Sequence, residues 1–331
     1  MYDILLLIIT IFWKDWLFLA MKLISVVVPC YNEQEVLPLF YDKITEIMGG
    51  MVQKYGIDYE LMFVDDGSKD KTLEKFRELS QKDNRVRFIS FSRNFGKEAG
   101  MYAGLKNSKG DYVVVLDADL QHPPEFIPKM YEFVKDGQFD CATTRRVSRK
   151  GESPVRSWFA RLFYKIMNKI SQTEIVDGAQ DFRFMTRHMV DSILSMSEYN
   201  RFSKGIFSWV GFKTKYIEYE NVERVAGTTS WSFMNLFKYS LEGIMAFSTF
   251  PLSLSIFFGI LFCIISLLML IIFGIVGFGT TSGVLTGALF IGGIVLLCMG
   301  INWMYLAKTY LEVKNRPIYI VRETEKGVVE R

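Results

Sequence analysis

A chain of 331 residues, half of them hydrophobic, has room for one sizeable domain and something besides. Its 39 basic and 36 acidic side chains leave a net charge of +3, too small to identify a partner, so the local distribution of charge matters more. The four cysteines (Cys30, Cys141, Cys263, Cys298) form no CxxC pair and no His/Cys cluster, which excludes a disulfide framework and a zinc site.

In chain order, residues 1–21 are apolar but interrupted by Lys14 and Asp15. They lack a basic n-region and a clear cleavage site, so they do not read as a secretory signal. An interfacial or buried segment and a start at Met21 are both open. KLISVVVP (22–29) is a short, nearly continuous apolar strand, the pattern of a parallel sheet covered on both faces. A turn and an amphipathic helix follow. YELMFV (59–64) is a second strand, after which Ser68 or Asp70 can cap the helix TLEKFRELSQK. Residues 86–90 read as a third strand, 97–108 as a helix and 111–116 as a fourth strand. Strands alternating with helices predict an α/β, doubly wound domain.

PVRSWFARLFYKIMNKI (154–170) sets Trp158, Leu162, Phe163 and Ile166 on one helical face and Arg161, Lys165 and Lys169 on another. Such a helix suits a membrane surface or, alternatively, packs on a core with a solvated basic face. Arg145, Arg146, Arg149, Lys150 and Arg156 cluster nearby and suit an anionic headgroup or phosphate. Residues 231–250 predict a second interfacial helix. From 243 to 307 there is no Asp, Glu, Lys or Arg. Residues 252–278 and 284–307, joined by GTTSG, are each long enough to cross a bilayer. Two spans leave both flanks on one side. Lys308, Lys314, Arg316 and Arg322 in the tail make that side cytoplasmic, with a short external loop.

In doubly wound sheets, ligands bind beyond the carboxyl ends of the strands. Three such ends carry polar clusters here: PCYNE (29–33), VDDGS (64–68) and DADLQ (117–121). Neither GxGxxG nor GxxxxGK[ST] occurs in the domain, so a diphosphate would need positive charge from another source. A divalent cation held by carboxylates supplies it. Asp117 and Asp119 lie at alternate positions, where an extended backbone points both the same way, and their repulsion is relieved by Mg²⁺ or Mn²⁺.

PCYNE, VDDGSKDKT, SRNFGKEAG (92–100), DADLQHPPE (117–125) and QDFRFMTR (180–187) together resemble the inverting family-2 glycosyltransferases of the GT-A fold. The nearer likeness is to polyprenyl-phosphate hexose synthases, both dolichol-phosphate mannose synthases and bacterial bactoprenol glucosyl- or GlcNAc-transferases. NRFSKGIFSWVGF (200–212) is similar to the bacterial, membrane-anchored branch. The resemblance implies a Rossmann-like, mostly parallel GT-A domain over 22–230, a juxtamembrane helix over 231–250, two transmembrane helices over 251–307 and a basic cytoplasmic tail over 308–331. It implies that Pro29, Tyr31, Glu33 and Asp66 hold the nucleoside, with Ala118 also at the nucleotide-sugar. Asp117, Asp119 and Gln121 match metal ligands. Asp181 matches the catalytic carboxylate, with Arg183 beside it. Arg224 matches a donor-diphosphate contact, and Arg145, with Arg156, an acceptor-phosphate site. Where relatives often carry a lysine six residues after that arginine, this chain has Ser230, which puts one diphosphate contact in doubt. His122, beside the metal motif, reads as structural.

The expected reaction moves glucose or GlcNAc from a UDP-sugar to undecaprenyl phosphate at the plasma membrane, without nucleic acid, and relatives suggest a homotetramer. GDP-mannose as donor, or diacylglycerol or a polysaccharide as acceptor, stay open as alternatives, as does a non-catalytic nucleotide-sugar-binding scaffold.

Overall fold

The computed structural model describes residues 21–146, 176–219 and 281–329, with isolated positions between 161 and 268. Strand β1 (Leu23–Cys30) is apolar almost throughout because it is buried on both sides. Ile24, Val26 and Val28 face one core, and Val27 faces the other. The first core is closed by helices α1 (Leu37–Tyr55), α2 (Thr72–Lys82) and α4 (Phe126–Val134), the second by α3 (Lys97–Asn107), α5 (Arg187–Ser195) and α6 (Ser203–Trp209). Strands β2 (Asp58–Asp65), β3 (Val86–Phe91) and β4 (Tyr112–Val115) lie within a residue of the bounds expected from sequence. Two-faced burial of aliphatic strands between helices is the doubly wound α/β arrangement.

The sheet has nine strands among the described residues, in the order β7 (Thr214–Tyr219), β5 (Cys141–Arg146), β6 (Ala179–Thr186), β4, β1, β2, β3, β8 (Val321–Thr324) and β9 (Gly327–Val328). Its parallel centre is β4-β1-β2-β3. Beyond β4 the direction changes: β6 (Ala179–Thr186) runs antiparallel to both β4 and β5 (Cys141–Arg146), and β7 (Thr214–Tyr219) is parallel to β5. This reversal brings the start, rather than the end, of β6 to the edge where β1, β2 and β4 finish.

Helix α3 lies very close to β1. A Cβ on Gly100 would stand 3.2 Å from Pro29 Cβ, and one on Gly104 would stand 2.2 Å from Val27 Cγ1. Two glycines one turn apart thus let the helix seat directly on the strand, which carries its first residue, Lys97, to the sheet edge.

Helix α7 (Thr281–Val313) contains Ile294–Val313, the one stretch among the described residues that is long and apolar enough to cross a membrane, and none of that stretch is buried. The other expected span, 252–278, lies outside the described residues apart from isolated helical positions, as do residues 231–250 apart from one such position. At its end, the Glu312 carboxylate accepts hydrogen bonds from the backbone N–H of Tyr199 (2.9 Å) and Asn200 (3.2 Å). Within residues 308–331, read from sequence only as a basic tail, the chain returns to the sheet. Strand β8 (Val321–Thr324) pairs antiparallel with β3, and β9 (Gly327–Val328) completes a hairpin. Arg77 on α2 donates two hydrogen bonds to Glu323, both of 2.7 Å, and Tyr319 stacks on Phe91 at 4.9 Å. The hairpin covers the edge that β3 would otherwise leave unpaired.

Candidate active site

The first two polar clusters form one connected surface. Cys30 and Asp65 are register partners at the ends of β1 and β2, so the loops after them emerge side by side. Asn32, with φ of 58°, turns its side chain across. Its Oδ1 accepts from Lys69 N–H at 2.9 Å, and its own N–H donates to Ser68 Oγ at 2.9 Å. Glu33 N–H donates to Thr72 Oγ1 (2.8 Å) and Gln34 N–H to Asp70 Oδ2 (3.2 Å). Neither residue expected to cap α2 holds the N-cap position, which is Lys71 with no side-chain cap bond. Asp70, just before it, accepts from Thr72 N–H at 3.0 Å, while Ser68 serves the neighbouring loop. Pro29 and Glu33 are half-buried on this surface, and Tyr31 is exposed.

The two carboxylates of VDDGS differ in what they hold. Asp65, fully buried, accepts from Ser90 Oγ at 2.7 Å and from Ser68 N–H at 2.9 Å. Asp66 accepts from the backbone N–H groups of Phe95 (2.6 Å) and Gly96 (2.9 Å), and so fastens the loop that leads into α3. Burial raises the Asp66 carboxyl to about 6, and the two amides only partly offset that rise. Because this folded value exceeds the ordinary one of 3.8, the associated stability is fully present below about pH 4 and is lost as pH rises through 6. Stability should therefore fall by up to about 3 kcal/mol between pH 4 and 7 on account of this group. Denaturant titrations across that range should give a flatter profile for Asp66→Asn than for the parent. Equal slopes would show that another group titrates.

At the third cluster, β4 stops pairing at Val115, which lies opposite Arg183 on β6. The same antiparallel register, continued two residues, sets Asp117 against Asp181. Lys97 joins them: its Nζ is 2.8 Å from Asp117 Oδ2 and 2.9 Å from Asp181 Oδ2. Burial works against the charges of Lys97 and Asp181. The attraction outweighs it, holding Lys97 well above the ordinary lysine range and Asp181 well below the carboxylate range. Ala118 is buried, and the backbone then turns through Leu120 at φ of 55°, with Gln121 N–H donating to Asp119 Oδ1 at 3.1 Å. His122 is buried with Nδ1 3.1 Å from the Tyr219 hydroxyl, and burial lowers its pKa, so it anchors the turn as a neutral ring.

Asp117, Asp119 and Gln121 offer oxygen donors only, a hard set that fits Mg²⁺ or Mn²⁺. Among the described residues no group of three or more His, Cys, Asp or Glu could hold a metal. An ion here would accordingly share its coordination with substrate oxygens and water, as magnesium commonly does.

Arg183 lies on the Asp181 side of β6, almost fully buried, with its guanidinium 4.3 Å over the Phe207 ring of α6. Its Nε has no hydrogen-bond partner. Arg145, at the end of β5, is turned elsewhere: Nε donates to the Asp177 carbonyl at 3.1 Å, and an Nη lies 3.7 Å from Glu218. Arg156, Arg224 and Ser230 lie outside the described residues, as does most of 154–170. Sequence reasoning gave no role to Lys97 or to Lys204, which sits on α6 near Asp181. A lysine at the first position of a helix reads as solvated, and only the SRNFGKEAG motif around Lys97 marked the segment.

The family model "Glycosyl transferase family 2" matches residues 25–194, more than half of the chain. The chain belongs to glycosyltransferase family 2. Two relatives extend the likeness well beyond that domain. A prophage bactoprenol glucosyl transferase homolog of Escherichia coli K12 is 39% identical over 310 residues, covering 92% of this chain and 99% of the relative. The SfII prophage-derived bactoprenol glucosyl transferase of Shigella flexneri is 40% identical over 311 residues, with the same two coverages, 92% and 99%. Among solved structures, glucosyl-3-phosphoglycerate synthase of Mycobacterium tuberculosis, in complex with Mn²⁺, UDP-glucose and phosphoglyceric acid, aligns at a TM-score of 0.44. Its identity is 19%, over 68% of this chain and 78% of that one. This family 2 glycosyltransferase thus gathers its polar clusters where an α/β sheet of this kind takes its ligand, and Lys97 ties the third of them to the antiparallel strand.

Proposed function

We propose that this glycosyltransferase moves glucose or GlcNAc from a UDP-sugar to undecaprenyl phosphate at the cytoplasmic face of the plasma membrane. The observation that carries the reading is the likeness to bactoprenol glucosyl transferases along 92% of the chain, which takes in the apolar segments as well as the catalytic domain. In this reading two membrane helices hold the domain and tail on the cytoplasmic side, where a lipid phosphate is at hand.

Pro29, Tyr31, Glu33 and Asp66 line the nucleoside end, with Ala118 at the nucleotide-sugar. Arg224 is assigned to the donor diphosphate and Arg156 to the acceptor end, whereas Arg145 is turned to the Asp177 carbonyl and Glu218. A divalent cation, held by Asp117 and Asp119 with Gln121, would supply positive charge for the departing diphosphate. The acceptor oxygen attacks the anomeric carbon from the face opposite the diphosphate, which inverts the configuration there. A phosphate monoester, with a second pKa near 6, is largely ionised at neutral pH and needs alignment more than deprotonation. Asp181 suits that role, because a carboxylate held so far below its usual range is a weak base but a firmly charged orienting group.

The test is a donor screen on purified full-length protein with undecaprenyl phosphate and Mg²⁺ or Mn²⁺. A lipid-linked hexose from UDP-glucose or UDP-GlcNAc is the expected product. Transfer from GDP-mannose alone would reassign the donor, and no lipid-linked product from any of the three would reject the reading.

A further inference from the structure

Around Asp181, positive charge is concentrated beyond what local pairing requires. Ser203 N–H donates to both carboxylate oxygens of Glu98, at 3.1 Å each, and the two side chains also bond, so the start of α6 is fastened to the start of α3. The next residue on one helix is Lys204 and the preceding one on the other is Lys97. One turn on from Lys204, Phe207 carries the Arg183 guanidinium on its ring. Three cations, Lys97, Lys204 and Arg183, therefore converge on Asp181, and each acts on it electrostatically. The half-buried Lys204 is favoured by Tyr164 and by Asp181, while Lys97 and Arg183 act on it more weakly as like charges. Like charges gathered in a partly buried space are unfavourable unless an anion joins them. The buried, unpartnered Nε of Arg183 is a second and independent sign that a hydrogen-bond acceptor belongs here.

We propose that Lys204, together with Lys97 and Arg183, forms the subsite for the phosphate group of the acceptor. This rests on the functional reading above. With Asp117 matched to a divalent ion, Asp181 alone faces three cations, and the surplus of about two positive charges suits a phosphate monoester, which carries about −1.5 to −2 at neutral pH. Donor diphosphate is served from the DxD side, so one phosphate would lie on each side of the sugar. Arg145, the residue expected from sequence to take the acceptor phosphate, has its guanidinium engaged by Asp177 and turned towards Glu218.

The experiment uses full-length protein in detergent, with farnesyl phosphate as the acceptor probe and UDP with Mn²⁺ as the donor probe. Lys204→Met should weaken farnesyl phosphate binding at least about ten-fold and raise the acceptor KM, while UDP binding and the donor KM stay within about two-fold. Lys204→Arg, which keeps the charge, should recover most of the loss. In the parent protein, farnesyl phosphate but not UDP should shield Lys204 from an amine-reactive label read by mass spectrometry, a result that does not depend on the variants folding. Weakened UDP binding with unchanged farnesyl phosphate binding would overturn the assignment in favour of the donor, and no change in either would make Lys204 structural. Farnesyl phosphate bound at Lys204 without sugar transfer from any donor would sink the functional reading and leave the anion subsite standing.

Discussion

Asp117→Ala should reduce hexose transfer about a thousand-fold while leaving the domain folded. Asp117 lies beyond the paired part of β4 and keeps about a quarter of its side chain exposed, so its loss opens no core cavity. What it removes is chemical. One of the two carboxylates proposed for a divalent ion disappears, and with it a partner that holds Lys97 between two strands. Losing a single preorganised group that stabilises developing charge costs about 100- to 1,000-fold, and a metal contributes several kcal/mol more. Asp119→Ala should behave alike. Initial rates across a Mn²⁺ titration, with thermal unfolding of the same samples, check this. A variant within ten-fold of the parent at every metal concentration would remove the DxD pair from the chemistry.

Gly104→Ala should destabilise the domain. A buried helix interior normally gains up to about 1 kcal/mol from replacing glycine with alanine. Here the new Cβ would stand 2.2 Å from Val27 Cγ1 and 3.3 Å from Val64 Cγ2, far inside normal contact for the first. Val27 sits fully buried on the central strand and has nowhere to retreat. The overlap should win, with a net loss of about 1–3 kcal/mol. Pushing α3 off β1 also withdraws Lys97 from Asp117 and Asp181, so activity should fall alongside. Adding Val27→Ala makes room for the new methyl, and the pair should be less destabilised than the sum of the two single changes by at least about 1 kcal/mol. Strict additivity, measured by denaturant unfolding, would show that α3 adjusts without the strand.

Much of the central sheet was legible because its strands obey a local rule. LISVVVPC and YELMFV are apolar on both faces, and each ends in a polar cluster, so both burial and the ligand edge can be read residue by residue. The meeting of Asp117 and Asp181 was open to the resemblance but not to periodicity. It depends on β6 running antiparallel, a property of strand pairing between segments more than 60 residues apart. Lys97 and Lys204 escaped for a related reason. Each stands on a short helix whose charge reads as solvated, and only the Glu98–Ser203 contact turns both toward one carboxylate. The hairpin of residues 321–328 was hidden by its composition, since the basic residues beyond the apolar helix look like a tail until Glu323 finds Arg77. His122, read as structural beside the DxD segment, is a buried ring held by Tyr219.

That hairpin also sets a leash. Only seven residues separate the end of α7 at Val313 from the start of β8 at Val321, a reach of at most about 25 Å when fully stretched. If α7 crosses the bilayer as proposed, the catalytic sheet cannot drift farther than that from the point where the helix leaves the lipid. A phosphate confined to the same surface then meets the enzyme by lateral diffusion in a thin layer, at an effective concentration set by tether length rather than by cell volume. In such an arrangement a modest intrinsic affinity for the lipid phosphate suffices, and a product that must leave again is not held too long.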